Sequence, residues 1–234
     1  PGMNEADIHA VLLQVFTRRH CEASYQPIVG GGANACVLHY IANRDELGDG
    51  DLLLIDAGAE YDGYASDITR TFPVNGKFSS EQRDLYEVVL AAQAAALEQA
   101  RAGNQWQDVH QAAVRAATEG MIELGILKNG LEEEIESEGY KKFYAHNTGH
   151  WLGLDVHDVG EYTIDGHSRE LEPGMVMTIE PGIYIRPDAN KVRKCWRGLG
   201  IRIEDNVAVT RDEPQVLTMG LAKTPDDIEA LMAG

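Results

Sequence analysis

Four acids stand where an acid is costly. Asp56 ends the run Leu52-Leu53-Leu54-Ile55, and Glu180 ends the apolar run that starts at Met175. Asp67 and Glu204 lie in the extended stretch after each. A carboxylate removed from water needs a cation, hydrogen bonds or a proton. A single such acid reads equally well as a strand end meeting solvent. Four of them, beside a histidine cluster, do not. His146, His150 and His157 fall within 12 residues, spaced by four and seven. The glycines between them and the lack of HExxH argue against a helical zinc site, and so much glycine and apolar residue argues against a plain surface loop. Carboxylate oxygens suit Mn²⁺ or Mg²⁺, and imidazole admits Co²⁺, Fe²⁺ or Zn²⁺. Four acids exceed what one dication needs, whereas two ions roughly 3.5–4 Å apart would use them all. In Ile201-Arg202-Ile203-Glu204, alternation puts Arg202 on the same strand face as Glu204, where a guanidinium can orient a carboxylate or make a cross-sheet ion pair.

These residues need elements to hold them. Ile8, Val11, Leu12, Val15 and Phe16 predict an amphipathic helix over 4–19, with Asn4 as its cap. Gly30-Gly31-Gly32-Ala33-Asn34 is a loop without the Gly-Lys-Ser/Thr of a phosphate site, and Ala35 to Tyr40 reads as a short strand. Leu52 to Asp56 is a buried strand, with Tyr61 to Tyr64 and Asp67 to Phe72 extended after it. Ser79-Ser80-Glu81-Gln82 is a capping box opening a helix to about residue 101. A further helix spans 105–124 with Gly125 at its end. The acidic residues 128–142 read as solvated. Met175 to Glu180 and Gly200 to Val209 each read as one strand. Each half of the chain thus holds an apolar strand ending on an acid and then a second strand carrying another, which hints at two related halves.

Composition narrows the function classes. The chain has 234 residues, 44% hydrophobic and 25% charged, with a net charge of −18. That is globular composition, and the acidity excludes a general nucleic-acid binder and disfavours anionic lipid. No apolar run is long enough to span a membrane, and no signal peptide is visible. Cys21, Cys36 and Cys195 are odd in number and form no CxxC, which points to packing residues in a reducing, cytoplasmic setting. No low-complexity linker divides the chain, so it reads as one α+β domain over 1–234.

The motifs LLLIDAG (52–58), SDITRTF (66–72), HNTGHWLGLDVHD (146–158), TIEPGIY (178–184) and GIRIEDN (200–206) together resemble the catalytic domain of the Xaa-Pro aminopeptidase and prolidase family. The resemblance implies the pita-bread fold: two pseudo-symmetric halves with a curved antiparallel sheet flanked by helices. It implies five metal ligands, with Asp67 and Glu204 bridging two ions, Asp56 on one, and His150 with Glu180 on the other. The ions are expected to be Mn²⁺, with Co²⁺ or Zn²⁺ as substitutes. His39, His146, His157 and Arg202 match family positions near the substrate. Two departures stand out. Asn147 replaces the glycine that commonly follows the first histidine, and the N-terminal domain of such two-domain proteins is absent ahead of Pro1-Gly2. The chain therefore reads as the catalytic part of a longer protein, which the family resemblance makes a homo-oligomer.

The implied activity is release of the N-terminal residue from peptides with proline second. Glu180 is the candidate general base and later acid. His157 and His39 are candidates for hydrogen bonds to the substrate carbonyl or its oxyanion, and His146 for a supporting or subsite role. The alternatives are a dipeptidase acting on Xaa-Pro, a methionine aminopeptidase, and a non-catalytic binding module on the same fold. The last is disfavoured because all five ligand positions carry competent residues.

Overall fold

The computed structural model describes residues 1–234. Its first half runs α1 (Glu5–Arg18), β1 (Glu22–Ala23), β2 (Ile28–Gly31), β3 (Leu52–Asp56), β4 (Ala59–Glu60), β5 (Thr69–Pro73), α2 (Ser80–Gln99) and α3 (Trp106–Glu123). The second runs α4 (Leu131–Glu136), β6 (Thr163–Ile164), β7 (His167–Ser168), β8 (Val176–Ile179), β9 (Gly182–Ile185), β10 (Leu199–Arg202), β11 (Asp205–Ala208), β12 (Gln215–Val216) and α5 (Pro225–Ala233).

Capping chemistry sets the helix ends. Asn4 Oδ1 accepts from the Ala6 amide at 2.9 Å, and Asp7 reaches back to the Asn4 amide at 2.9 Å. Ser79 and Gln82 exchange the same pair of bonds at the start of α2, at 3.2 and 2.8 Å. Each box satisfies amides that have no partner within the helix. Gly125, at φ +69, turns the chain left-handed after α3, a conformation that costs glycine little. The apolar faces of α2 (Leu85, Val89, Ala92, Ala96) and α3 (Val109, Ala113, Ala117, Met121) are buried in one core with Met177, Ile179, Ile183, Ile201 and Val207 of the strands. At roughly 1.5–3 kcal/mol per large side chain, this burial is the main favourable term holding helices on sheet.

Every strand pair is antiparallel. In the first half β3 is central, in the order β2-β3-β5, with Asp56 opposite Thr69. In the second, β11 is central, in the order β12-β11-β8, with Ile179 opposite Asp205. The two halves repeat one device: an acid ends the first strand or directly follows it (Asp56, Glu180), and a second acid (Asp67, Glu204) lies one or two residues before the strand that pairs with it.

Several local expectations are corrected. Ala35 to Tyr40 is not a strand: a 3-10 turn covers Gly32–Cys36, and His39 sits in the turn after it. Ala35 and Cys36 are buried against β10, where a Cβ on Gly200 would come within 2.3 Å of the Ala35 carbonyl, so packing overrides the strand propensity of Cys-Val-Leu. Tyr61 to Tyr64 forms a tight turn, with Asp62 and Gly63 at positive φ. Gly200 to Val209 is two strands in different sheets, broken at Ile203-Glu204. Glu134, in the acidic stretch read as solvated, is buried and accepts the Asn129 amide at 3.2 Å. On α1, Val11 and Val15 face outward, while Ile8 and Leu12 pack on Val29, Leu47 and Leu53. The three cysteines are unpaired, and no helix is long and apolar enough to cross a membrane.

Candidate metal centre

Two close approaches of backbone bring the acids and the histidine together. A Cβ on Gly58 would lie 1.6 Å from the Ser66 carbonyl oxygen, so only glycine lets the turn after Asp56 pass the segment carrying Asp67. A Cβ on Gly149 would lie 2.0 Å from the Thr178 carbonyl oxygen, so glycine also lets the His150 loop lie against β8. The Thr178 amide then donates to the His150 carbonyl at 2.9 Å, and the Glu180 amide to that of Thr148 at 2.7 Å. His150 and Glu180 therefore share one backbone frame.

All five expected ligands converge on one cavity of about 830 Å³, which is also lined by His39, His146, His157 and Arg202. Ligand atoms of Asp67, His150 and Glu204 lie within 4.8 Å of one another. His150 Nε2 is 3.3 Å from Asp67 Oδ2 and 3.5 Å from Glu180 Oε1. Its Nδ1 lies 2.9 Å from the Trp151 carbonyl, so the proton belongs on Nδ1 and the Nε2 lone pair faces the carboxylates. Asp56 joins through Arg202, whose Nη2 donates to Oδ2 at 2.5 Å. Thr69 donates to Glu204 Oε2 at 2.6 Å, and Thr178 to Glu180 Oε1 at 3.2 Å.

The substrate-side residues divide by exposure. His39 and His157 are exposed at the cavity wall, with the His157 ring 4.1 Å from that of His150. His146 lies deeper. Arg202 Nη1 donates to the Tyr184 hydroxyl at 2.9 Å, and that hydroxyl donates to His146 Nε2 at 2.9 Å. Nδ1 then donates to the Asn147 carbonyl at 2.8 Å, so the chain of donors assigns a neutral imidazole. Burial and the Arg202 charge push its pKa down to about 3.

The acids are not at ease. Burial pushes Glu180 up to about 7, with Asp67 and Asp56 adding to the rise against the pull of Arg202 and His150. Burial, then Asp67, raises Glu204 well above the usual range. Burial also raises Asp56, opposed by Arg202. For His150 burial alone would lower the pKa, yet Asp67 and Glu180 bring it above its ordinary value. Glu204 Oε1 is buried with no hydrogen-bond partner. Crowded carboxylates, an orphaned oxygen and an imidazole lone pair aimed among them fit a divalent metal, which would supply the missing positive charge.

This crowding has a measurable consequence in metal-free protein. A carboxyl whose pKa is raised on folding stabilises the fold below its unfolded value of about 4.5, and that stability is lost as pH climbs through about 7. Glu180→Gln removes this contribution and lessens the rises at Glu204 and His150, to which Glu180 adds. The metal-free variant is expected to gain on metal-free wild type in melting temperature between pH 5 and pH 8. A difference that stays flat across that range would contradict the assignment.

Sequence reasoning missed several residues here. The Tyr25 hydroxyl contacts both Asp56 Oδ1 and Asp67 Oδ1, yet nothing in its neighbourhood marks it. Tyr184 closes the TIEPGIY motif and Asn206 the GIRIEDN motif, so position in a motif was the available signal. Trp106 and Tyr162 line the cavity, with ring centroids 4.7 Å apart.

Comparison with known proteins agrees with this architecture. Metallopeptidase family M24 matches residues 1–211. Xaa-Pro aminopeptidase of Haemophilus influenzae is 51% identical over 234 residues, covering 99% of this chain and 54% of the relative. The solved structure of Pseudomonas aeruginosa aminopeptidase PepP superposes with a TM-score of 0.98 at 54% identity, over 100% of this chain and 53% of that one. Proline aminopeptidase P II from Yersinia pestis gives 0.96 at 52% identity, over 100% and 53%. The chain spans about half the length of the relatives it matches. With the match covering nine-tenths of its length and the site assembled from both halves, the chain belongs to metallopeptidase family M24.

Proposed function

We propose that residues 1–234 form the catalytic domain of a dinuclear-metal aminopeptidase, which releases the N-terminal residue from peptides with proline in second position. The observation that carries this reading is the convergence of Asp56, Asp67, His150, Glu180 and Glu204 on one cavity. The identity to relatives named Xaa-Pro aminopeptidase selects the substrate class. Asp67 and Glu204 would serve both ions, Asp56 one, and His150 with Glu180 the other; Mn²⁺ suits this oxygen-rich set. The three free cysteines fit a cytoplasmic setting.

When bound, the metal supplies Lewis acidity to the scissile carbonyl and lowers the pKa of water near it. The chain supplies the rest. Glu180, at the edge of the site, accepts a proton from the attacking water and returns one to the leaving proline nitrogen. His39 and His157, exposed at the wall, donate hydrogen bonds to the carbonyl oxygen as charge builds on it. His146 stays neutral and is held by Tyr184, so it offers a fixed polar wall rather than a charge. Arg202 neutralises and orients Asp56.

A peptide panel tests the substrate class. With Mn²⁺ present, an Xaa-Pro-Xaa peptide is expected to lose its first residue, while Xaa-Pro and Met-Ala-Ser are cleaved far more slowly. Preference for Xaa-Pro would make the chain a dipeptidase, and preference for Met-Ala-Ser would overturn the reading.

A further inference from the structure

Asp67 and Glu204 come from different halves of the chain, and the backbone on each side is held by a side chain from beside the other. Asn206, two residues beyond Glu204, clasps both main-chain groups of Asp67: its Oδ1 accepts the Asp67 amide at 3.1 Å, and its Nδ2 donates to the Asp67 carbonyl. Arg70, three residues beyond Asp67, returns the grip. Its Nη1 donates to the Glu204 carbonyl at 2.5 Å and to the Thr69 carbonyl at 2.9 Å. Its Nε donates to the Ala222 carbonyl at 3.0 Å. The Glu204 amide closes the loop by donating to the Thr69 carbonyl at 3.1 Å.

Arg70 is itself anchored. Its Nη2 donates to Asp205 Oδ1 at 2.7 Å. Asp205 is wholly buried and also accepts from Gln93 at 2.8 Å, Thr218 at 2.7 Å and Lys223 at 2.8 Å. Its carboxylate is therefore fixed by four donors: Arg70, Gln93, Thr218 and Lys223. Arg70 and Asn206 are 5% and 3% exposed, so water does not compete for these bonds.

No strand ladder joins the Asp67 segment to β11; beyond the single Glu204–Thr69 backbone bond, side chains do that work where the chain breaks between β10 and β11. We propose that Asn206 and Arg70 are positioning residues forming a reciprocal clasp that sets the separation of the Asp67 and Glu204 carboxylates for metal. The proposal rests on the dinuclear reading above. Side chains that orient ligands typically contribute about 10–100-fold in metal affinity.

The test is a calorimetric Mn²⁺ titration of the metal-free chain, with metal-free melting measured alongside. Asn206→Ala removes both grips on Asp67. Arg70→Lys keeps the charge beside Asp205 but cannot span the Glu204 and Ala222 carbonyls. Val89→Ala, a fully buried change on α2 away from the site, is the control for destabilisation alone. Asn206→Ala and Arg70→Lys are each expected to weaken Mn²⁺ binding about tenfold or more, and Val89→Ala by less than about twofold. If Asn206→Ala does not fold, Arg70→Lys carries the same expectation from the other side. Affinity within about twofold of wild type in the clasp variants, or an equal loss in Val89→Ala, overturns the clasp while leaving the metal reading intact. Wild-type chain that binds no Mn²⁺ overturns the metal reading, and the clasp with it.

Discussion

Glu180→Ala is expected to lower kcat by about 10²–10⁴ even at Mn²⁺ concentrations that keep the metal bound, the range a positioned proton-transfer group supplies. The expectation comes from where this carboxyl stands. It lies one residue beyond β8, with its amide tied to the Thr148 carbonyl and Oε1 receiving the Thr178 hydroxyl. In the metal-free chain burial raises its pKa to about 7, so the site holds it as a ready proton acceptor beside the attacking water. Because Glu180 is also a proposed ligand, activity must be read together with metal analysis of the same sample. Near-normal turnover with metal retained would remove Glu180 from the proton-transfer role.

Arg202→Met is expected to destabilise the metal-free chain by roughly 3–5 kcal/mol, the cost of stripping the partner from a buried ion pair. Arg202 is 3% exposed and donates to Asp56, to Thr69 Oγ1 at 3.1 Å and to the Tyr184 hydroxyl. Met fills much of the same space but offers none of these donors. Asp56 is left buried beside Asp67 with only Tyr25 as a donor. For a chain of this size the loss is a fall in melting temperature of roughly 6–20 °C. It should be larger at pH 8 than at pH 5, because an unpaired buried carboxyl binds its proton more tightly when folded and loses that stability as pH rises. Equal melting of the two proteins at pH 8 would contradict the role given to this pair.

The acids were legible because the cost of burying charge shows in sequence. Asp56 follows four aliphatic residues, and Glu180 closes an apolar run. Glycine spacing around His150 argued against a helical zinc site, and the structure uses one of those glycines to lay the loop on β8. Alternation put Arg202 and Glu204 on one face, and both line the cavity, but across a break between strands rather than along one. That break depends on contacts between the two halves, through Thr69 and Arg70, which no local pattern encodes. Tyr25 shows the same limit. Its hydroxyl meets Asp56 and Asp67 across the pairing of β2 with β3, a contact no local pattern encodes. Glu134 escaped because a run of acids looks solvated whether or not one of them turns inward.

On the proposed reading, this cavity cleaves the bond before proline with two metal ions held by Asp56, Asp67, His150, Glu180 and Glu204. The most direct test is the release of the first residue from an Xaa-Pro-Xaa peptide across a Mn²⁺ titration of metal-free chain, with bound metal counted at each point. Release is expected to rise with metal, level off when two ions are bound per chain, and disappear on chelation. Cleavage that persists in fully chelated protein, or full occupancy without cleavage, would contradict it.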